Sequence, residues 1–142
     1  MSFFCDTSVL FAASDVTHQH HARSIARVSA ARAGTAFCAA HSLAELYGVL
    51  TAMRNPAMRR VEDVLAGVEQ AARLFKPVSL TPSEYLWVIR HVASAGGRSG
   101  IVYDAVILKC AEKARVDAIY TWNAAHFLRI AWPAVLPLIQ AP

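Results

Sequence analysis

Hydrophobic positions along the chain fall into short continuous runs that alternate with longer stretches of helical periodicity. Short apolar runs between turn signals are typical of buried strands, and apolar residues at three- and four-residue spacing are typical of helices. The short runs predict strands at 2–5, 35–39, 77–80, 118–121 and 134–139. The helical patterns cover residues 7–14, 18–32, 42–54, 61–75, 81–95 and 101–115, with a helical turn at 123–127.

This alternation of strands and helices predicts the fold class. Strands that follow one another through long helices form parallel sheets, and right-handed crossovers then cover both faces of the sheet. We therefore expect an α/β fold, a three-layer α/β/α sandwich around a mostly parallel sheet of four to five strands, with residues 1–142 forming one domain. Pro137 indicates that the last strand lies at an edge, because proline has no N–H to donate to a neighbouring strand.

Composition narrows the class of protein further. Hydrophobic residues make up 56% of the chain and charged residues 17%, which excludes an intrinsically disordered protein. No apolar run approaches the roughly 20 residues that a membrane-spanning helix needs, and Asp6 interrupts the apolar N-terminus, which argues against a signal peptide. Cys5, Cys38 and Cys110 stand far apart in apolar segments, as expected for buried thiols in a reducing compartment. We expect a cytoplasmic protein with no membrane partner.

Three acidic residues stand in otherwise apolar segments that the predicted fold brings together. Asp6 ends the first strand, Glu45 lies in the first turn of the helix after the second strand, and Asp104 lies in the first turn of the helix before the fourth. Thr121 and Asn123 directly follow the fourth strand. All five positions therefore fall at the carboxyl edge of the sheet, where α/β folds bind their ligands.

Each acidic residue also has a purely structural interpretation. Asp6 could cap the following helix, Ser42 and Glu45 have the spacing of a capping box, and Asp104 could interact with a helix dipole. The three together favour a metal site, because two carboxylates about 4 Å apart repel by roughly 4 kcal/mol at an effective dielectric constant near 20. Oxygen ligands without histidine or cysteine suit Mg²⁺ or Mn²⁺.

The segments around these acidic residues resemble four motifs of the PIN-domain ribonucleases, in particular the VapC-type toxins of bacterial toxin–antitoxin pairs. DTSVLFA at Asp6 is similar to the opening motif of the family, and HSLAELYGVL is similar to the helix that carries its glutamate, here Glu45. YDAVILKCA resembles the third acidic motif, at Asp104, and YTWNAAHF resembles the closing motif, at Thr121 and Asn123. The resemblance runs nearly from end to end of the chain.

The resemblance implies a metal-dependent endoribonuclease that hydrolyses RNA phosphodiester bonds with water as the nucleophile and acts as the toxin of a type II toxin–antitoxin pair. Asp6 would be the central ligand of one or two Mg²⁺ or Mn²⁺ ions, with Glu45 and Asp104 beside it. Ser8 and Thr121 would support these ligands by hydrogen bonds. The resemblance further implies a homodimer and a cognate antitoxin protein as partners.

Asn123 stands where many members of the family carry an aspartate. Asparagine can bind a metal through its carbonyl or orient a water, but it adds no charge, so one or two metal ions remain possible. A catalytically weak PIN-like module that binds RNA or protein is therefore the alternative. A receiver domain fits less well, because Lys109 and Lys113 lie inside a helix instead of at the sheet edge. A haloacid-dehalogenase-like phosphatase would need an aspartate where Ser8 stands.

Several basic residues are candidates for contact with RNA. The net charge of +4 permits a polyanionic partner, and most of the 14 basic residues are arginines, which favour bidentate contact with phosphate. Arg98 lies in the loop GGRSG, which we expect to be flexible, just before the third acidic motif. Arg54, Arg59 and Arg60 stand between two helices and could follow an RNA backbone. His41 falls near the catalytic edge.

The remaining histidines and one tryptophan carry less information. His126 falls near the same edge as His41, and Trp122 stands beside it, where a base could stack. The HQHH segment at 18–21 has no additional acidic residue at metal-ligand spacing except Asp15, so we interpret it as the solvated start of a helix and not as a zinc site.

Overall fold

The computed structural model describes residues 1–53 and 60–142 of the chain. Within these ranges the strands are β1 (Phe3–Cys5), β2 (Ala36–Ala39), β3 (Lys76–Val78), β4 (Ala118–Tyr120) and β5 (Ile139–Gln140). The helices are α1 (Thr7–Ser14), α2 (His21–Ser29), α3 (Ala40–Ala52), α4 (Val61–Leu74), α5 (Pro82–Ser94), α6 (Ile101–Ala114) and α7 (Ala124–Ile130), with a 3₁₀ helix at Leu136–Leu138. Among the helices so described, none is long and apolar enough to cross a bilayer.

All five strands belong to one sheet of order β3-β2-β1-β4-β5, and every neighbouring pair is parallel. Phe3 lies opposite Ala36 on one side and opposite Ala118 on the other. The chain moves from β1 through β2 to one edge and then returns to the other side of β1 with β4. In open α/β sheets such a reversal opens a crevice at the carboxyl ends of the strands. Asp6, the residue after β1, lies at this point.

Helices cover both faces of the sheet, as the predicted three-layer sandwich requires. Side chains alternate in direction along a strand, so Phe4 packs with the buried side chains of α5, α6 and α7. Phe3 and Cys5 point to the opposite face and pack with those of α1, α3 and α4. The sequence prediction of an α/β/α sandwich is therefore confirmed, and the sheet is parallel throughout.

The three cysteines are buried and unpaired, as expected from their apolar surroundings. Burial raises the pKa of Cys38 and Cys110 to about 12 and also raises the pKa of Cys5. A thiol with a raised pKa carries little thiolate at neutral pH and is therefore a poor nucleophile. The three cysteines therefore act as packing residues of the core.

Two predicted elements illustrate how the structure differs from the prediction in extent. The segment 134–139 was expected to be a strand, but only Ile139–Gln140 pairs with β4, and Pro137 lies in the 3₁₀ helix before it. Proline has a fixed φ and no N–H, which suits a short helix better than a paired strand. The helix expected from residue 18 begins at His21, so His18 and His20 lie in the preceding turn.

Candidate active site

Asp6 is held at the carboxyl end of β1 by two hydroxyl groups. The Ser8 hydroxyl donates to Asp6 Oδ2 at 2.7 Å, and the Thr121 hydroxyl donates to the same oxygen at 2.9 Å. The backbone N–H groups of Trp122 and Asn123 donate in turn to these two hydroxyls, at 3.0 and 2.9 Å. Both of these side-chain hydrogen bonds end on the same carboxylate oxygen, Oδ2.

The environment of Asp6 explains why an acidic residue interrupts an apolar segment. Only 3% of the residue is exposed, and burial raises the pKa of its carboxyl group, while the hydrogen bonds from Ser8 and Thr121 lower it. Asp6 occupies the position before α1, but its side chain makes no capping hydrogen bond to that helix. Asp6 is therefore the N-cap residue of α1 by position, but a side-chain capping hydrogen bond does not account for its presence there.

Glu45 lies on the second turn of α3 and is oriented by a residue from α1. The Thr7 hydroxyl is 2.7 Å from Glu45 Oε2 and 2.9 Å from the Ser42 hydroxyl. Since Thr7 has one hydroxyl proton, it donates to the carboxylate and accepts from Ser42. His41 Nε2 lies 3.8 Å from the same oxygen of Glu45. The capping box expected from Ser42 and Glu45 is wrong, because α3 already begins at Ala40.

Asp104 lies in the first turn of α6 and is partly buried. Its pKa rises to about 6, chiefly because burial disfavours the charged form, and also because the negative charges of Asp6 and Glu45 lie nearby. His126 acts in the opposite direction and lowers the pKa of this carboxyl group. The pKa of Asp104 therefore depends on the charges of both other acidic residues, although the three are far apart in the chain.

The three carboxylates and Asn123 line one cavity of about 180 Å³, together with Ser8 and Phe11; we call it the carboxylate cavity. The structure thus brings together the four residues that the sequence analysis singled out as catalytic candidates, with Thr121 behind Asp6. Asn123 is exposed, whereas Asp6 is buried. Among residues 1–53 and 60–142, no three histidine, cysteine or acidic side chains already stand in the arrangement of a bound metal.

A second, wider cavity of about 580 Å³ shares two of these walls. Glu45 and Asp104 line it together with Arg98, His126 and Arg129, so we call it the arginine cavity. Tyr103 also lines this cavity and stacks on His41, with ring centroids 5.3 Å apart and an interplanar angle of 7°. Acidic and basic side chains therefore line one space that is open to solvent.

The other candidates for RNA contact divide into two groups. Arg98 and His41 lie at or beside the arginine cavity, as expected. Arg60 is exposed, lies 3.6 Å from Glu62 in an ion pair, and lines neither cavity. Arg54 and Arg59 lie outside the described residues.

The tryptophan beside the site has a protein partner. His20 stacks on Trp122 with ring centroids 3.8 Å apart, and the indole N–H donates to the Ser24 hydroxyl at 2.8 Å. One face of the Trp122 ring is therefore occupied by His20. The HQHH segment packs next to the site through this contact, which the sequence analysis did not predict.

The sequence analysis missed four residues that shape the site: Thr7, Ser42, Tyr103 and Arg129. Thr7 and Tyr103 are immediate neighbours of Asp6 and Asp104, which was the available signal. Arg129 lies three residues after His126, and this spacing puts both on one side of α7. Ser42 was assigned to a helix cap, and only the packing of α1 against α3 reveals its contact with Thr7.

A comparison with known protein families agrees with this geometry. The family model described as the PIN domain matches residues 3–133, a range that contains all three carboxylates and Asn123. No curated protein matches the chain. The matched range covers the whole sandwich except the last strand, β5. The chain belongs to the PIN domain family, whose members are typically metal-dependent nucleases.

Proposed function

We propose that this protein is an endoribonuclease that depends on Mg²⁺ or Mn²⁺ and hydrolyses internal phosphodiester bonds of RNA. One observation carries the proposal: Asp6, Glu45 and Asp104 line a single small cavity, and the charges of the first two help raise the pKa of the third to about 6. Such a concentration of negative charge favours a divalent cation.

The donor chemistry of the carboxylate cavity fits this cation. Three carboxylates and the amide oxygen of Asn123 offer only hard oxygen ligands, which suit Mg²⁺ and Mn²⁺. Asp6, Glu45 and Asp104 would hold the ion. When bound, it would supply Lewis-acid stabilisation of the phosphate charge and a lowered pKa for a bound water.

The surrounding residues fix the orientation of these ligands. Ser8 and Thr121 hold Oδ2 of Asp6, a residue that lines the carboxylate cavity. Thr7 holds Oε2 of Glu45. Hydrogen bonds of this kind reduce the number of orientations that each carboxylate samples. Asn123 can orient a water through its amide without adding a fourth negative charge.

The experiment that tests the proposal is cleavage of a labelled RNA by the purified protein with and without Mg²⁺. We expect cleavage that EDTA abolishes, and at least a roughly 1,000-fold slower rate for Asp6→Asn, since metal catalysis contributes several kcal/mol. The matched control is Glu69→Gln, which changes an exposed acidic residue on α4 and should leave cleavage like that of the parent.

Two results of this experiment contradict the proposal. Unchanged cleavage by Asp6→Asn would remove the carboxylate cavity from the reaction. RNA binding by the parent protein with no cleavage in either metal would instead favour the binding module that Asn123 left open.

We further propose that the protein is the cytoplasmic toxin of a type II toxin–antitoxin pair, on the strength of its resemblance to VapC-type proteins. An apolar cavity of about 280 Å³ between α1, α2, α3 and α4 could receive a segment of the antitoxin. Induced expression in a bacterial host should arrest growth, Asp6→Asn should not, and co-expression of the cognate antitoxin should restore growth. Growth unaffected by the parent protein would oppose this role.

The expected homodimer is also a proposal. Tyr85, Leu86 and Ile89 expose apolar side chains on one side of α5, where a second copy could cover them. Light scattering should give twice the chain mass, and Leu86→Glu should shift the protein to the monomer. A monomeric parent protein at all concentrations would exclude the dimer.

A further inference from the structure

Two arginines of the arginine cavity have no partner within the described part of the chain. Arg98 and Arg129 form no hydrogen bond or ion pair there, although Glu45 and Asp104 line the same cavity. Both arginines are exposed. A guanidinium group presents its donors in a planar fork that matches a phosphate. The cavity therefore offers two free phosphate ligands directly beside the carboxylates.

The backbone holds Arg98 in a constrained loop. A Cβ atom at Gly97 would lie 2.6 Å from Val92 Cγ1 and 3.1 Å from the Val92 carbonyl oxygen, so the loop packs too closely on the end of α5 for any other residue. The Gly97 N–H also donates to that carbonyl oxygen, at 2.9 Å. The GGRSG segment was expected to be a flexible loop, but its second glycine is fixed by packing.

The short helix α7 presents the second arginine. Phe127 and Ile130 are buried and anchor one side of the helix in the core. His126 and Arg129 lie three residues apart on an adjacent side of the helix and line the cavity. The backbone that carries each arginine is therefore held by packing, at Gly97 beside Arg98 and at Phe127 and Ile130 beside Arg129.

Tyr103 adds an aromatic surface at the same place. It is 53% exposed although His41 covers one face of its ring. The parallel stacking on His41 restrains the ring, and the exposure leaves ring surface for a second planar group. Unpaired nucleobases stack on aromatic side chains in this manner, whereas bases inside a duplex cannot reach them.

We propose that the arginine cavity binds the nucleotide next to the scissile bond of single-stranded RNA, with Arg98 and Arg129 on its phosphate and Tyr103 against its base. This inference rests on the proposed function, because the carboxylates define where the scissile phosphate lies. The volume of the cavity is in the range of small-ligand sites, roughly 300–1,000 Å³, which admits a nucleotide. His126 lines the same cavity and adds a ring N–H donor.

Binding to a labelled oligoribonucleotide, measured by fluorescence anisotropy, tests the inference separately from cleavage. Asp6→Asn serves as the parent so that the RNA stays intact. In this parent, Arg98→Ala and Arg129→Ala should each weaken binding about tenfold, and each should reduce the salt dependence of log K by roughly 0.7, the value of one phosphate contact in a single strand. Arg73→Ala and Arg90→Ala, which remove exposed arginines on α4 and α5, are the charge-matched controls.

The role of the aromatic ring has its own comparison. Tyr103→Ala should weaken binding about five- to tenfold, whereas Tyr103→Phe, which keeps the ring, should bind like the parent. A duplex of the same sequence should bind more weakly than the single strand and should not respond to Tyr103→Ala. Thermal melting of each variant checks that the fold is retained.

The outcomes separate this inference from the proposed function. Equal losses in the cavity variants and the controls would overturn the subsite, even if the wild-type protein cleaves RNA. Equal affinity for duplex and single strand would overturn the recognition of an unpaired base. If the wild-type protein cleaves nothing, but Arg98→Ala and Arg129→Ala weaken binding more than the controls, the subsite stands and the nuclease proposal fails.

Discussion

The carboxylate cavity and the arginine cavity share Glu45 and Asp104 but differ in their remaining walls. The first is small, and its lining includes Asp6, a buried residue fixed by two hydroxyl groups. The second has about three times the volume, and its lining includes Arg98 and Arg129, which have no partner among the described residues. Chemistry and substrate binding can therefore be separated by mutation, because each cavity has residues that the other lacks.

After Asp6→Asn, the largest effect is expected from the two acidic residues that line both cavities. Asp104→Asn and Glu45→Gln should each slow single-turnover cleavage by about 100- to 1,000-fold, because each removes a charged ligand from the proposed metal site. Arg129→Ala should cost about tenfold, mostly in KM. Equal losses for the acidic residues and the arginine would contradict the division between the two cavities.

The hydroxyl groups of Ser8 and Thr121 bind Asp6, which lines the carboxylate cavity but not the arginine cavity. Ser8→Ala and Thr121→Val should each reduce cleavage about 10- to 100-fold, since ligands that lose supporting hydrogen bonds typically lose metal affinity or activity by this factor. RNA affinity should not change. The measurement is a Mg²⁺ titration of the rate, with Ser83→Ala on α5 as the control. A loss of RNA affinity without a loss of rate would show that these hydroxyls serve binding instead.

The raised pKa of Asp104, which comes chiefly from burial and also from the nearby charges of Asp6 and Glu45, should be measurable in the stability of the metal-free protein. Folding raises the pKa of Asp104 from 3.8 to about 6, so the folded state prefers the protonated form. This preference stabilises the protein fully below the unfolded pKa and is lost as the pH rises through about 6. At pH 7.5 the charged group therefore destabilises the fold, by about 1–2 kcal/mol after allowance for solvent screening.

Asp104→Asn removes that penalty and should raise the melting temperature in EDTA at pH 7.5 by about 3–6 °C. The gain should shrink as the pH falls toward about 4.5, where the wild-type group takes up its proton. Glu69→Gln should not change the melting temperature. A destabilised Asp104→Asn variant at pH 7.5 would mean that the carboxylate has a favourable partner in the folded protein.

The smallest effect is expected outside both cavities. Arg60 is exposed and paired with Glu62, so Arg60→Ala should change cleavage and RNA affinity by less than about twofold, as is usual for exposed ion pairs. The same binding titration as for Arg98→Ala measures it. A loss as large as that of Arg98→Ala would extend the RNA path to the start of α4.

The sequence predicted the sandwich and the meeting of the carboxylates because both follow from local patterns. The period of hydrophobic residues identifies strands and helices, and parallel topology then carries the residues after each strand to one edge. Asp6, Glu45 and Asp104 could be found in this way without any knowledge of side-chain contacts.

Contacts between elements could not be predicted in the same way. The hydroxyl of Thr7 reaches Glu45 only because α1 packs against α3, and Ser42 therefore serves that contact and not the expected capping box. Gly97 was assigned to a flexible loop, whereas the side chain of Val92 leaves no room there for a Cβ atom. Such details depend on the relative position of two helices, which no short segment of sequence contains.

A crystal structure of the protein soaked in Mn²⁺ tests the central claim most directly. The account predicts an anomalous difference peak in the carboxylate cavity, within coordination distance of Asp6, Glu45 and Asp104, and no such peak in crystals of Asp6→Asn. A cavity without a peak at saturating Mn²⁺, or a peak bound elsewhere on the chain, would contradict it.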